Sequence, residues 1–210
     1  MLRIAVFASG RGSNFRAILQ AIHAGSIRNT EIVLVISNKS DAGALDTARA
    51  NNIPAVYLDQ KQFDSEQDFT QALLTLLDRH GVNFIALAGY LKKLSAEVVR
   101  RFKNRIVNIH PALLPDFGGK GMYGIHVHEA VIKSGARKTG ATVHLVDEEY
   151  DRGPLILQQE VDVDPADTPE RLAEKVLQIE HRVYPEAIRL FADGRVKING
   201  RSVTITEKVS

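Results

Sequence analysis

The first half of the chain alternates short apolar runs with amphipathic stretches, and this alternation limits the fold more than any other feature. Apolar runs of strand length lie at 3–8, 31–37, 54–58, 84–88 and 105–109, with helical patterns between them at 14–24, 42–52, 65–80 and 95–102. Strands that are apolar throughout are typical of a parallel sheet covered on both faces. We therefore expect an α/β fold with an open, mostly parallel, Rossmann-like sheet, helices on both faces, and Ser95 capping the fourth helix.

The second half changes character after Pro111. Residues 111–124 contain two prolines and four glycines, which indicates a loop, and a helical pattern follows at 125–134. Two β-rich segments, 139–146 and 155–163, are expected to form an antiparallel C-terminal extension of the sheet.

A long helical stretch at 168–191 follows, which we expect to be broken or bent by Pro185, and the sequence 195–206 suggests a short terminal hairpin. We find no linker or repeat. The prediction is one domain over 1–210, with a phosphate-binding half at 1–110 and a second half at 111–210.

The composition is ordinary for a soluble globular protein. Hydrophobic residues make up 44% and charged residues 25%, and the net charge is only +2. The absence of cysteine excludes disulfides, thiolate metal sites and cysteine nucleophiles. The chain has no basic run of the kind that binds nucleic acid. No segment is long enough to be a membrane span or a signal-peptide core. We expect a cytoplasmic monomer or homodimer.

A glycine turn, Ser9-Gly10-Arg11-Gly12-Ser13-Asn14, connects the first predicted strand to the first predicted helix. Exposed N–H groups at a helix start, together with the helix dipole, can bind phosphate. The dinucleotide pattern fails because Phe15 stands where a third glycine belongs, and no P-loop sequence occurs. The turn alone leaves open a phosphomonoester site or a tight turn capped by Ser or Asn.

The sequence Asn108-Ile109-His110-Pro111 places an amide and an imidazole two residues apart at the end of a predicted strand. Such side chains share a face of the strand. An amide donor beside an imidazole suits a reaction that builds negative charge on a carbonyl oxygen and moves a proton. A nearby carboxylate could orient the imidazole, and acyl-group chemistry is indicated.

Six motifs in order resemble the phosphoribosylglycinamide formyltransferase family, folate-dependent enzymes of purine biosynthesis. The likeness extends over roughly residues 3–197 and rests on the following segments: the turn 9–14, Ala88-Gly89-Tyr90-Leu91-Lys92, Asn108-Ile109-His110-Pro111 with Leu113-Leu114-Pro115, Gly140-Ala141-Thr142-Val143-His144, Asp151-Arg152-Gly153-Pro154 and Glu180-His181.

The resemblance implies transfer of a formyl group from 10-formyltetrahydrofolate to the amino group of glycinamide ribonucleotide. It implies three catalytic residues, Asn108, His110 and Asp151, and these ribonucleotide-binding positions: Gly12, Ser13, Asn14, Glu180 and His181. It further implies these folate-binding positions: Leu91, Lys92, Lys93, Leu94, Asn108, Asp147, Glu148, Glu149 and Tyr150.

By the family pattern, Asn108 and His110 would stabilise the formyl oxyanion, and Asp151 would keep His110 charged and relay the amine proton through a water. Neither a covalent intermediate nor a metal is required. His126 and His128 could suggest a metal pair, but helix-start or packing roles suit them better. His144 is expected to form a hydrogen bond in the site wall.

Three alternatives remain. A formyltetrahydrofolate hydrolase would share the three residues but usually carries an N-terminal regulatory domain, for which a first strand at Arg3 is expected to leave no room. A methionyl-tRNA formyltransferase usually adds a C-terminal tRNA-binding domain. A binding module without turnover would have no need of an oxyanion donor and a proton relay. The role of the glycine-rich segment, residues 116–124, is unassigned; it is a candidate cover for the site.

Overall fold

A computed structural model describes residues 1–207 of the chain. Seven strands form a sheet in the order β3-β2-β1-β4-β5-β6-β7, and β8 and β9 form a separate two-stranded sheet. The chain divides into two compact units, Met1–Val107 and Asn108–Ser210, which are described separately below. The single domain over 1–210 therefore stays a prediction, and its last three residues lie outside the described part.

The first unit is built from βα repeats. Its strands are β1 (Leu2–Phe7), β2 (Thr30–Ser37), β3 (Ala55–Tyr57) and β4 (Phe84–Leu87), and its helices are α1 (Ser13–His23), α2 (Gly43–Ala50), α3 (Glu66–Arg79) and α4 (Ala96–Arg101). Strand β1 pairs in parallel with β2 and β4, and β2 pairs in parallel with β3. Every residue of β4 and the last six of β2 are buried, as expected for strands covered on both faces.

Two serines stand at helix starts in this unit, and only one caps its helix with its side chain. The Ser65 hydroxyl accepts a hydrogen bond from the Asp68 N–H at 3.1 Å. Ser95 occupies the same position before α4 but makes no side-chain cap, and its hydroxyl instead accepts from the Thr70 hydroxyl at 3.0 Å. Ser95 is therefore the N-cap residue of α4, as predicted, but the side-chain hydrogen bond expected of a cap is absent and the hydroxyl bonds with α3 instead.

The second unit begins within β5 (Ile106–His110). It continues with α5 (Ile125–Ser134), β6 (Lys138–Leu145), β7 (Leu155–Asp162), α6 (Pro169–Ala192), β8 (Val196–Asn199) and β9 (Ser202–Ile205). Strands β6 and β7 are antiparallel, as are β8 and β9, and α6 packs on β6, β7 and α5. The mostly parallel α/β sheet with an antiparallel extension is confirmed.

Helix α6 runs unbroken through Pro185, so the prediction of a break is wrong. A proline inside a helix removes one backbone hydrogen bond and costs about 3 kcal/mol or more. The helix offsets this cost by burying a long apolar face that comprises Leu172, Val176, Ile179, Val183, Tyr184, Ala187, Ile188 and Leu190. Among residues 1–207, no helix is both long and apolar enough to cross a membrane.

Candidate active site

Strand β5 presents Asn108 and His110 on one face, since side chains two apart on a strand point the same way. The intervening Ile109 and the preceding Val107 are buried on the other face. His110 is only 3% exposed, whereas Asn108 is partly open to solvent. The strand ends at His110, immediately before Pro111.

Asp151 lies in the connection between β6 and β7 and directs its carboxylate towards His110. Its Oδ2 is 3.7 Å from Nδ1 of His110, slightly beyond hydrogen-bond distance. The backbone of Asp151 is left-handed, with φ 54°, a conformation that Asp and Asn adopt more readily than other non-glycine residues. The structure therefore brings Asp151, 41 positions along the chain from His110, against that ring.

His144 on β6 connects the amide and the carboxylate of this cluster. Its Nδ1 donates to the Leu145 carbonyl at 2.8 Å. Its Nε2 lies 3.1 Å from Asn108 Nδ2 and 3.5 Å from Asp151 Oδ1. Nε2 can serve only one of them at a time: without a proton it accepts from Asn108, and with a proton it donates to Asp151. The shorter contact favours the first arrangement, which leaves the second N–H of Asn108 for another acceptor.

The glycine-rich segment contributes two backbone contacts to the same cluster. His110 Nε2 donates to the Phe117 carbonyl at 2.8 Å, and the Gly119 N–H donates to Asp151 Oδ2 at 2.9 Å. A carbonyl can only accept, so His110 carries a proton on Nε2. The ring's other nitrogen, Nδ1, is thereby the one that faces Asp151.

Burial governs the protonation of His110. Burial lowers the pKa of His110, and nearby His144 lowers it further, while Asp151 and the Phe117 carbonyl raise it without reversing the shift. His110 is therefore mainly neutral at neutral pH, which corrects the expectation that Asp151 keeps it charged. Burial raises the pKa of Asp151, but contacts with His144, His110 and the Gly119 N–H hold that pKa below its ordinary value.

The segment that follows β5 is fixed to β6 and β7 by two polar side chains. The buried Thr142 hydroxyl donates to the Ala112 carbonyl at 2.6 Å and accepts from the Leu114 N–H at 3.1 Å. Gln158 Nε2 donates to both the Leu114 carbonyl and the Thr142 hydroxyl, each at 2.9 Å. These bonds hold in place the chain that leads from His110 into the glycine-rich segment.

In the first unit, the glycine turn is shaped by backbone conformation rather than by a polar cap. Gly12 is the N-cap of α1, with φ 73° and no side-chain cap, so the alternative of a Ser or Asn cap is wrong. A Cβ at Gly12 would stand 2.8 Å from the Cβ of Ala44 and 3.0 Å from its Cα, so only glycine fits here. Neither side chain of Ser13-Asn14 provides the cap, and α1 has no acidic residue in its first turn.

Ser9 fixes the start of this turn to its neighbours in the first unit. Its buried hydroxyl donates to Asn38 Oδ1 at 2.5 Å and accepts from the Leu91 N–H at 2.9 Å. Its own N–H donates to the Gly89 carbonyl at 2.9 Å. The phosphate-binding candidate and the segment 89–91 are therefore joined through one hydroxyl.

The other predicted ligand-binding residues fall into two groups by exposure. On α6, Glu180 is buried and His181 is half-buried. In the folate candidates of the first unit, Leu91, Lys92 and Lys93 are exposed, but Leu94 is only 4% exposed and packs in the core. In the second unit, the exposed candidates are Glu148, Glu149 and Tyr150, while Asp147 is half-buried.

Asp147 has structural partners of its own. Its Oδ1 accepts from the Glu149 N–H at 2.9 Å, and its Oδ2 lies 3.5 Å from an Arg201 guanidinium nitrogen on the terminal hairpin. Arg201 also donates to the Arg152 carbonyl. The assignment of the binding residues stays a prediction.

His126 and His128 are separated by their surroundings at the start of α5. His126 is exposed and lies 3.0 Å from Glu129 Oε2. His128 is 4% exposed, its Nδ1 has no hydrogen-bond partner among residues 1–207, and burial with the neighbouring charge of His110 lowers its pKa to about 4. Within the described residues, no three His, Cys, Asp or Glu side chains cluster as metal ligands would.

The backbone groups of Phe117 and Gly119 were not among the predicted site residues, and no contact between His144 and Asp151 was predicted. A glycine-rich sequence signals unusual dihedral angles, and Phe117 and Gly119 do have φ values of 54° and 102°. No sequence signal states which carbonyl or N–H such angles direct into a site.

Comparison with known proteins defines the class first: residues 2–188 match the family model described as "Formyl transferase". The curated phosphoribosylglycinamide formyltransferase of Arabidopsis thaliana, named as chloroplastic, is 48% identical over 93% of this chain and 67% of that protein. The Haemophilus influenzae phosphoribosylglycinamide formyltransferase is 36% identical over 94% of this chain and 91% of that protein.

A solved structure gives the same result at the level of the fold. Glycinamide ribonucleotide transformylase 1 from Symbiobacterium toebii superposes with a TM-score of 0.92 at 41% identity, covering 99% of this chain and 95% of that one. The chain belongs to the formyl transferase family and, within it, to the phosphoribosylglycinamide formyltransferases.

Proposed function

We propose that this protein transfers the formyl group of 10-formyltetrahydrofolate to the amino group of glycinamide ribonucleotide, a step of purine biosynthesis. The observation that carries the proposal is the cluster formed by Asn108, His110 and Asp151, with His144 in contact with the first and the last. An amide donor, a buried imidazole and a carboxylate are the groups that direct formyl transfer to an amine needs.

The reaction starts when the neutral amine attacks the formyl carbon. A C–N bond forms, and the electron pair of the formyl C=O moves onto oxygen. Asn108 supplies one hydrogen bond to this oxyanion through the amide N–H that does not contact His144. Loss of one such donor typically costs about 100- to 1,000-fold in rate.

Proton movement follows from the orientation of His110. Its Nε2–H is held by the Phe117 carbonyl, and its Nδ1 faces Asp151. The amine's proton passes by way of Asp151 and a water to Nδ1, and the new Nδ1–H of the imidazolium donates the second hydrogen bond to the oxyanion and later supplies the proton to N10. The intermediate then collapses, the bond between the formyl carbon and N10 breaks, and N10 takes the proton.

The binding residues extend the proposal to both substrates. We assign the ribonucleotide phosphate to the N–H groups at the start of α1, at Gly12, Ser13 and Asn14, where the helix dipole favours an anion. The remaining ribonucleotide and folate contacts are those of the family pattern given above. Holding both reactants together supplies much of the acceleration, and no metal enters a step.

Steady-state turnover of 10-formyltetrahydrofolate, followed by absorbance with and without glycinamide ribonucleotide, tests this proposal. We expect turnover only when both substrates are present, at a rate that a metal chelator leaves unchanged. Formyl release to water without the ribonucleotide would replace the transferase with a hydrolase. Binding of both ligands without turnover would leave a binding module.

A further inference from the structure

We propose that Gly119 is a positioning residue for formyl transfer: its backbone N–H holds the Asp151 carboxylate in place opposite His110. Residues 117–119 of the glycine-rich segment would then belong to the reaction machinery, whereas the rest of the segment, residues 116 and 120–124, would not. This inference rests on the proposed function, and it assigns a role to the one prominent motif that the catalytic residues leave unexplained.

The two backbone contacts of this segment act on both partners of one pair. The Phe117 carbonyl receives the Nε2–H of His110 at 2.8 Å, and the Gly119 N–H reaches Asp151 Oδ2 at 2.9 Å. Oδ2 is the same oxygen that lies 3.7 Å from His110 Nδ1. One short stretch of backbone therefore sets which nitrogen of the ring and which oxygen of the carboxylate face each other.

The conformation of the segment explains why glycines are present. Phe117 adopts φ 54° and Gly119 adopts φ 102°, and the second value lies where a side chain is strained. Between them, a Cβ at Gly118 would meet Leu114 Cδ2 at 2.5 Å and Asp151 Cβ at 3.3 Å. A side chain at position 118 would therefore crowd Asp151 and require the Leu114 side chain to move.

The Gly119 N–H differs from the other groups around Asp151 in that it does not titrate. The charged or titratable groups near the carboxylate are His110 and His144, and His110 in turn acts on His128. His144 Nε2 lies within reach of both Asn108 and Asp151, so its contact is not dedicated to the carboxylate. A backbone N–H stays a donor throughout, which suits a group that must hold the carboxylate while protons move.

The chain offers a matched pair of substitutions for the test. Gly119→Ala and Gly121→Ala place a methyl group at φ 102° and φ 90°, in the same segment, with no atom within 4 Å of either new Cβ. The backbone strain and the free space are thus alike. Of these two glycines, only Gly119 donates its backbone N–H to Asp151.

We expect Gly119→Ala to lower kcat about 10- to 100-fold, as a small displacement of a catalytic group does, with KM for both substrates within a few-fold of wild type. The acid limb of the kcat/KM profile should move to higher pH, because an N–H donor stabilises the carboxylate form and its loss raises the pKa of Asp151. Gly121→Ala should stay within a few-fold of wild type in kcat with an unmoved acid limb. Equal losses and equal profiles in the two variants would overturn the inference.

A measurement on the wild-type protein does not depend on any glycine variant folding or on activity. In an NMR titration at acid pH, the amide proton shift of Gly119 should follow the ionisation of Asp151, while that of Gly121 should not. Asp151→Asn should abolish the Gly119 titration. A Gly119 shift that ignores Asp151 would overturn the inference even if the wild-type enzyme transfers formyl groups, whereas absence of transfer in wild type would defeat the proposed function separately.

Discussion

The cluster around His110 in the second unit and the glycine turn of the first unit are built from different parts of the polypeptide. The cluster consists of the side chains of Asn108, His110, His144 and Asp151, connected by contacts of 3.1 to 3.7 Å. The turn at residues 9–14 presents backbone N–H groups and depends on a left-handed Gly12. A site made of side chains should respond to atom identity and pH, whereas one made of backbone should respond to dihedral angle and packing.

The largest expected effect tests the side-chain region. His110→Ala removes the buried imidazole that donates to the oxyanion, so kcat should fall about 1,000-fold. His126→Ala is the control, because His126 is exposed and outside the cluster. Both variants should be assayed with both substrates at saturation. If kcat of His110→Ala fell by less than about 10-fold, the imidazole would have no role in the reaction. The expected difference between the side-chain cluster and the backbone turn would then be lost.

The next effect tests the backbone region through the fit of one glycine. Gly12→Ala forces φ 73° on a residue with a Cβ and places that atom 2.8 Å from Ala44 Cβ. We expect a loss of about 2–3 kcal/mol in the free energy of unfolding and a KM for the ribonucleotide raised about 10-fold, with kcat changed little.

Gly10→Ala is the matched control in the same turn. No atom lies within 4 Å of its new Cβ, and its φ is not left-handed, so urea unfolding and KM should match wild type. Equal effects at positions 10 and 12 would contradict the view that the turn works through the conformation of Gly12.

A pH series separates the regions by their titrating groups. His128, with a pKa lowered to about 4, binds a proton more readily when unfolded, so its contribution to stability is lost as pH falls from about 6.5 to about 4. His110 acts in the same direction. In wild type, the free energy of unfolding should decrease as the pH falls over this range. We expect His128→Gln to make that decrease smaller by about 1–2 kcal/mol, after allowance for solvent screening, as measured by urea unfolding.

The control for the pH series is His23→Gln at the end of α1 in the first unit. It should keep the wild-type slope of stability against pH. If the slope of stability against pH disappeared in His23→Gln and not in His128→Gln, the acid sensitivity would lie in the first unit, which would contradict the prediction.

The smallest effect concerns Ser9, whose side chain anchors the start of the turn. Ser9→Ala leaves the buried Asn38 oxygen and the Leu91 N–H without the hydroxyl that serves both, and should cost about 1–2 kcal/mol in urea unfolding. Ser40→Ala, at an exposed position, is the control. If Ser9→Ala is neutral, the turn needs no side chain for its placement, and the contrast between the two regions becomes sharper.

Much of the fold follows from local rules, and so does half of the cluster. Continuous apolar runs indicated the parallel strands, and the period of two along β5 placed Asn108 with His110. Asp151 joined them only through the family resemblance, because it lies 41 positions after His110 and no local rule brings the two together. Asp151 reaches His110 because the pairing of β6 and β7 places the connection between these strands beside the end of β5.

The predictions that were wrong, in whole or in part, share a cause, which is competition from partners distant in the sequence. Ser95 has the residue type of a cap, but Thr70 takes its hydroxyl. Pro185 should interrupt a helix, but the buried face of α6 outweighs the proline. The expected charge on His110 is overridden by burial. Each outcome depends on tertiary contacts that a local sequence pattern does not contain.

The left-handed backbone of Asp151, with φ 54°, narrows the set of residues that evolution or a protein engineer could place there. Glutamate carries the same functional group, but its longer side chain gains nothing from the local hydrogen bonding that makes this backbone region accessible to Asp and Asn. The position thus requires a carboxylate and also a residue that adopts left-handed backbone readily, and only aspartate meets both requirements. Asparagine keeps the shape and loses the charge, so it is the substitution that isolates what ionisation contributes.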